Sequence, residues 1–259
     1  MKDIITKRIL LALVIPFLVI IAWYLATSRG SIPVGILPTI PMVGEGFKEM
    51  IKSGQLRIDL TVSLVRVLKG YILSAVLGIL LGSLVGMFQT VRQMLMPMIT
   101  VIRQIPIIAW IPLIIMWAGI GEMSKVIIII LASFFPILVN TENGIESTPK
   151  GYVELARLYK LGPWKTFTKV YLPYALPGIL VGLKLGLGVS WMAVVAAELI
   201  ASTTGIGYRM SYARGMMQAN IVIVCMIVIG LVGVIMDKLI GWIFKRLLVW
   251  ERVENNHDK

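Results

Sequence analysis

Two ionisable residues of this chain sit inside or beside apolar runs: Lys184 within 177–197, and Glu198 at the far end of the same run. A charge at membrane depth is costly, so it marks a solute path, a gate or a cavity by default. Lys184 stands seven residues after Pro177, and its long stem could instead carry the charge to an interface. Glu198 could pair with the loop that follows it, line an outer gate, or simply face an interface. Pro106 and Pro112 interrupt another apolar run, flanked by Arg103 and Trp110. Proline removes a backbone donor and kinks a helix. At membrane depth a broken helix lines a cavity or is buried in protein, so this run reads either as part of a translocation path or as a kink in a packed helix.

Other chemistries are excluded by residue supply. Cys225 is the single cysteine and His257 the single histidine, so there is no disulfide framework, multi-histidine zinc site or histidine-based triad. No G-x-x-x-x-G-K-[ST] loop occurs, so the chain does not cradle nucleotide phosphates in that manner.

The elements that must position these residues are membrane spans. Of 259 residues, 58% are hydrophobic and 15% charged, and the mean hydropathy is +0.90. Soluble domains carry about 45–50% apolar and about 25% charged residues, so a soluble enzyme and a disordered chain are both excluded. The net charge of +12 is distributed in short segments between apolar runs. It reads as topology and not as a nucleic-acid surface.

A span needs about 20 apolar residues. Six candidates follow: 9–26, 70–88 (extending back toward Leu56 by the spacing of Leu60, Leu64, Val67 and Leu68), 104–121, 126–141, 177–197 and 221–244. The first is longer than the apolar core of a signal peptide, about 7–15 residues, and reads as an uncleaved helix. The predicted fold is an all-α membrane protein of about six transmembrane helices. Lys150, Arg157, Lys160, Lys165 and Lys169, with Lys245, Arg246 and Arg252 in the tail, place the loops 89–97 and 141–173 and both termini on the cytoplasmic side. The outer loops carry Lys125, Arg209 and Arg214, and the outer segment 27–58 carries Arg29, Lys48, Lys52 and Arg57, with prolines marking an irregular first part. This gives an N-terminal helix and external segment over 1–58, a main membrane domain over 59–247 and a polar cytoplasmic tail over 248–259.

Ser74, Gly78, Gly82 and Gly86 recur every fourth residue, and Gly182, Gly186 and Gly188 form a similar group. Such stripes read as close helix packing or as a sliding surface. The segment 148–173 is too polar to span. It reads as a short helix over 152–160, a break at Gly162-Pro163, and a second short helix from Trp164 that Leu172-Pro173 ends. These amphipathic pieces need lipid headgroups or a partner surface.

Here the sequence resembles the integral-membrane permease subunit of ATP-binding-cassette importers. Glu154-Leu155-Ala156 and Val170-Tyr171-Leu172-Pro173 match the family's cytoplasmic signature, with Leu155 in place of an alanine. The signature glycine falls on Lys160, and the nearest glycine is Gly162, so the turn is expected to be shifted or reshaped. The resemblance covers roughly 60–247 and is nearest the nitrate/sulfonate/taurine branch. It is carried also by Arg103 to Pro106, Trp117 to Glu122, Phe134 to Asn140, Leu176 to Ile179 and Trp191 to Glu198.

The resemblance implies the type I importer architecture with cytoplasmic coupling helices, and half of a transmembrane pore, usually a homodimer. It implies two cytoplasmic ATPase subunits that bind ATP, no cofactor on this chain, and an external solute-binding protein. The coupling segment would comprise Glu154, Leu155, Ala156, Lys160, Gly162, Trp164, Leu172 and Pro173. The path or gate would draw on Arg103, Pro106, Pro112, Lys184, Trp191 and Glu198. The branch implies a small anionic solute, or a heterocyclic vitamin precursor as the alternative. A secondary transporter would instead show an inverted repeat and internal ion pairs, and a membrane-embedded lipid enzyme would show clustered acids.

Overall fold

The computed structural model describes residues 2–28 and 32–247. Arg29 and the segment 248–259, with Arg252 and His257, lie outside the described residues. All regular structure among the described residues is helical.

Helix α1 (Lys2–Ser28) takes in the first predicted span, and from Leu13 to Ile20 its apolar side chains are exposed all round. That suits a helix bathed in hydrocarbon. Near its end the Trp23 indole N–H donates to the Pro38 carbonyl at 2.9 Å. The segment 27–58 is irregular only in its first part. Helix α2 (Ile40–Lys52) follows, and it buries Val43, Gly46 and Met50 on one face. Pro41 reads as a breaker in the sequence, yet it occupies the first turn, where the missing N–H costs nothing.

Helix α3 (Gln55–Met87) begins where the leucine spacing places it and runs 33 residues. The third predicted span, 104–121, holds one short helix, and the stretch 89–97, expected to be a loop, belongs to another helix before it. Helix α4 (Gln89–Ile102) and helix α5 (Ile107–Ala118) meet at 96°. Pro106, which cannot donate to a preceding turn, sits at the N-cap of α5. Helix α6 (Glu122–Glu146) extends the fourth span at both ends. After α7 (Lys150–Leu158) and α8 (Pro163–Thr166), a π turn (Phe167–Tyr171) leads without a break into α9 (Leu172–Ala201). Leu172-Pro173 therefore does not end a short helix. Pro173 lies in the first turn of α9, and the wider i→i+5 turn before it accommodates the missing donor. Helix α10 (Ile206–Gly215) occupies the predicted outer loop, and α11 (Ala219–Leu247) is the last. Four stretches are long and apolar enough to cross a membrane: Gln55–Met87, Glu122–Glu146, Pro163–Ala201 and Ala219–Arg246. The bent pair makes a fifth, and α1 precedes them.

Helix α6 is the axis of the bundle. It runs parallel to α3 and antiparallel to α9, and the small-residue stripes face it. A Cβ added at Gly78 would stand 2.9 Å from Ile137, and one at Gly182 or Gly186 would stand 2.8 Å from Asn140 or Ile137. Ser74 donates to the Ile130 carbonyl at 3.2 Å. Ile137 is fully buried between the two stripes, so they are packing seams of the kind small residues allow. Gly188 faces open space and belongs to neither.

Candidate translocation cleft and coupling segment

The break between α4 and α5 opens a cleft of about 440 Å³ against α6 and α9, lined by Arg103, Pro106, Trp110, Phe135, Asn140 and Val189 among others. Arg103 is the only charged residue in its wall. It C-caps α4, where its backbone N–H donates to Ile99 O at 3.0 Å. Asn140 sits opposite, its Nδ2 donating to Pro136 O at 2.8 Å. The 12 residues of α5 rise about 18 Å at 1.5 Å per residue, so the break stands about that far from the 119–121 turn. The cleft walls are otherwise apolar and aromatic, as in small-ligand sites generally.

The other predicted path residues stand elsewhere. Pro112 is inside α5 and outside the cleft wall. Trp191 is buried, and its indole N–H donates to Ile229 O at 3.0 Å, fastening α9 to α11. Lys184 extends across the same helix pair and meets Asp237 Oδ1 at 3.1 Å, both side chains being partly exposed.

Glu198 lies at the end of the bundle that carries the 119–121 and 202–205 turns, and is buried. Its carboxylate accepts from Arg66 Nη1 at 2.7 Å, from Ser63 Oγ at 2.9 Å and from the Gly207 N–H at 3.0 Å. Through Gly207 it pairs with the loop that follows it, and through Arg66 with α3. Arg66 also donates to Glu122 and to the Thr204 carbonyl, the latter at 2.8 Å. Nearby, Arg209 Nε meets Asp59 Oδ2 at 2.9 Å, and Lys125 Nζ lies 3.8 Å from Glu122. Three cations and three carboxylates thus pair across α3, α6, α9 and α10. Two of the three cations predicted in the short outer loops, Lys125 and Arg209, are neutralised in this way. Arg66 was not singled out in the sequence, although an arginine within a helical leucine pattern is the signal that marks it. At the opposite end Arg92, likewise not singled out, pairs with Glu142 at 3.0 Å and with Glu146.

The predicted coupling segment protrudes at that opposite end. Helix α7 buries Ala156 and exposes Glu154, Leu155 and Leu158, with Tyr152, Tyr159 and Trp164 exposed beside it. Leu155, Ala156, Lys169 and Pro173 help to line a groove of about 430 Å³ between α7 and the start of α9. The turn is not shifted to Gly162, whose φ is −67°. It stays at Lys160, whose φ is +52°. The Lys160 N–H donates to Arg157 O at 2.9 Å, and the Leu161 N–H to Ala156 O at 3.0 Å. This is the paired bonding of a Schellman cap, in which the left-handed position usually holds glycine.

Among the described residues no group of three or more His, Cys, Asp or Glu could hold a metal ion, and Cys225 is buried as a free thiol.

Comparison with known proteins places this architecture. A family model described as the binding-protein-dependent transport system inner membrane component matches residues 74–249. The chain is 36% identical over 238 residues to the putative aliphatic sulfonates transport permease protein SsuC of Bacillus subtilis, covering 92% of this chain and 86% of that one. It is 35% identical over 190 residues to the nitrate import permease protein NrtB of Leptolyngbya laminosa, covering 73% and 68%. A solved amino acid ABC transporter with histidines shares the fold with a TM-score of 0.64 at 18% identity, over 78% of this chain and 98% of that one. The inward-facing MetNI methionine ABC transporter does so at 0.52 and 19%, over 69% and 93%. The chain belongs to the family of binding-protein-dependent transport system inner membrane components, and it is the membrane-spanning permease subunit of an ABC importer, not an enzyme.

Proposed function

We propose that two copies of this chain form the path of an ATP-driven importer for a small anionic solute, and that α7, its Lys160 turn and Trp164 are the lever pushed by a cytoplasmic ATPase. The observation that carries this reading is the surface of that segment. Leu158 is 79% exposed, and Tyr159 and Trp164 are each 74% exposed. They lie on a basic projection outside the long apolar helices. Large apolar and aromatic groups concentrated there fit the core of a protein contact. ATP binds the partner, and its closure shifts this chain only because the two states contact the lever differently. An external solute-binding protein delivers the solute at the other end.

The orientation is supported by charge. Lys150, Arg157, Lys165 and Lys169 meet no carboxylate within salt-bridge distance among the described residues, whereas three cations of the opposite end, Arg66, Lys125 and Arg209, are balanced by three acids. An excess of free Lys and Arg holds a loop in the cytoplasm, which supports the reading with 147–162 and both termini inside. The anionic class is supported by the sulfonate and nitrate permeases to which the chain is similar.

The test is co-purification with the ATPase. Glu154→Lys and Leu158→Glu should reduce the ATPase recovered per permease while membrane insertion is unchanged. Full recovery with both variants removes the lever from this segment.

A further inference from the structure

We propose that the cleft at the α4/α5 break is a solute subsite that selects an oxyanion, with Arg103 as its anion receptor, Asn140 as a second polar contact, and Trp110 and Phe135 as the wall for a short apolar tail. This rests on the importer reading and adds a place and a chemistry to it.

Several other cations of the helices are already paired. Lys184 faces Asp237, Arg92 faces Glu142 and Glu146, and Arg66 faces Glu122 and Glu198. Each is a charge balanced inside the fold. Arg103 forms no salt bridge among the described residues, its charge reaches only as far as Glu142, which already pairs with Arg92, and no carboxylate lines the cleft it faces. A guanidinium turned toward lipid carries a large desolvation cost, so a wet or solute-filled cleft suits Arg103, and with no carboxylate in its wall the cleft favours an anion.

The geometry of the group narrows the class. A guanidinium presents paired N–H donors that match two oxygens of a carboxylate, sulfonate, phosphonate or nitrate. Asn140, on the facing helix, brings an amide with donors and an acceptor of its own. The remaining wall is hydrocarbon and aromatic ring. A volume of about 440 Å³ admits a small molecule and excludes a peptide. The ligand is therefore a small oxyanion with little or no further polar substitution. Lys184 is not the receptor, because its ammonium is occupied on the α11 side.

The test uses the purified permease–ATPase complex in nanodiscs, without binding protein, titrated calorimetrically with methanesulfonate, nitrate and dimethyl sulfone. The sulfone matches methanesulfonate in size but carries no charge. Wild type should bind methanesulfonate at least about 10-fold more tightly than the sulfone, the scale of a hydrogen bond to a charged group. Arg103→Gln should abolish that preference, with the melting temperature and ATPase content unchanged. Arg103→Lys should keep part of it, since it retains a point charge without the paired donors, and it carries the test if the glutamine variant melts early. Equal binding of the two probes by wild type, or an undiminished preference in both variants, overturns the subsite. Vesicle uptake separates the two levels. Anion import by a complex whose cleft is indifferent to charge removes only the subsite, whereas failure to import any anion with the binding protein present removes the anionic reading itself.

Discussion

Arg66 and Glu198 are 132 residues apart in sequence and 2.7 Å apart in the fold, and both are buried. The pair fastens the middle of the first half of α3 to the end of α9. Through Thr204 and Gly207 it also holds the turn that begins α10. Removing one partner of a buried ion pair leaves an uncompensated charge, at about 3–5 kcal/mol. Arg66→Met should therefore lower the melting temperature of the purified permease sharply. The double variant Arg66→Met/Glu198→Met should recover much of the loss, because it buries no charge. Equal destabilisation by the single and double variants would show that the pair is not coupled.

Lys160 holds a left-handed backbone conformation, which costs an L-residue about 1–2 kcal/mol relative to glycine. Lys160→Gly should protect the 158–163 turn from limited proteolysis and leave uptake intact. Faster cleavage at this turn would mean that the lysine side chain itself holds it.

The α3–α6 seam predicts a sharp contrast between glycines. A Cβ at Gly82 would lie 2.6 Å from the Leu138 carbonyl oxygen, while one at Gly188 would meet nothing within 4 Å. Gly82→Val should force the helices apart, costing about 1–3 kcal/mol or more by overpacking and reducing the yield of folded permease. Gly188→Ala should be recovered at wild-type level. Matching yields for the two would place α3 and α6 farther apart.

Lys184 and Asp237 predict a rescue. Lys184→Met leaves a lone carboxylate between α9 and α11, so permease yield should fall and uptake with it. Lys184→Met/Asp237→Asn should restore yield, because neither helix then carries a charge. Restored yield with restored uptake assigns Lys184 to helix pairing. Restored yield with absent uptake returns it to the solute path.

Much of this was legible locally. The apolar runs, the amphipathic stretch after Glu146, the small-residue stripes and the break at Pro106 depend on residues a few positions apart, and helix periodicity and proline chemistry act at that range. The same locality misjudged three places. Pro41 reads as part of an irregular stretch and Pro173 as a terminator, but Pro41 lies in a first turn where a missing donor is harmless, and the π turn before Pro173 accommodates the missing donor there. The turn expected to move to Gly162 stayed at Lys160, because the Schellman bonds to Arg157 and Ala156 fix its position whatever residue occupies it.

The sequence by itself determined that this chain crosses a membrane, where most of its long helices run, and that a basic segment projects between two of them, since hydropathy and charge are sums over neighbouring residues. Only the tertiary structure decided which charges are spent on one another. Lys184 turned to Asp237, Glu198 to Arg66, and Arg103 to an open cleft. The reason is physical: an ion pair is set by distance in space, and the close approach of the long helices brings together residues that the chain separates widely, as Arg66 and Glu198 are by 132 positions.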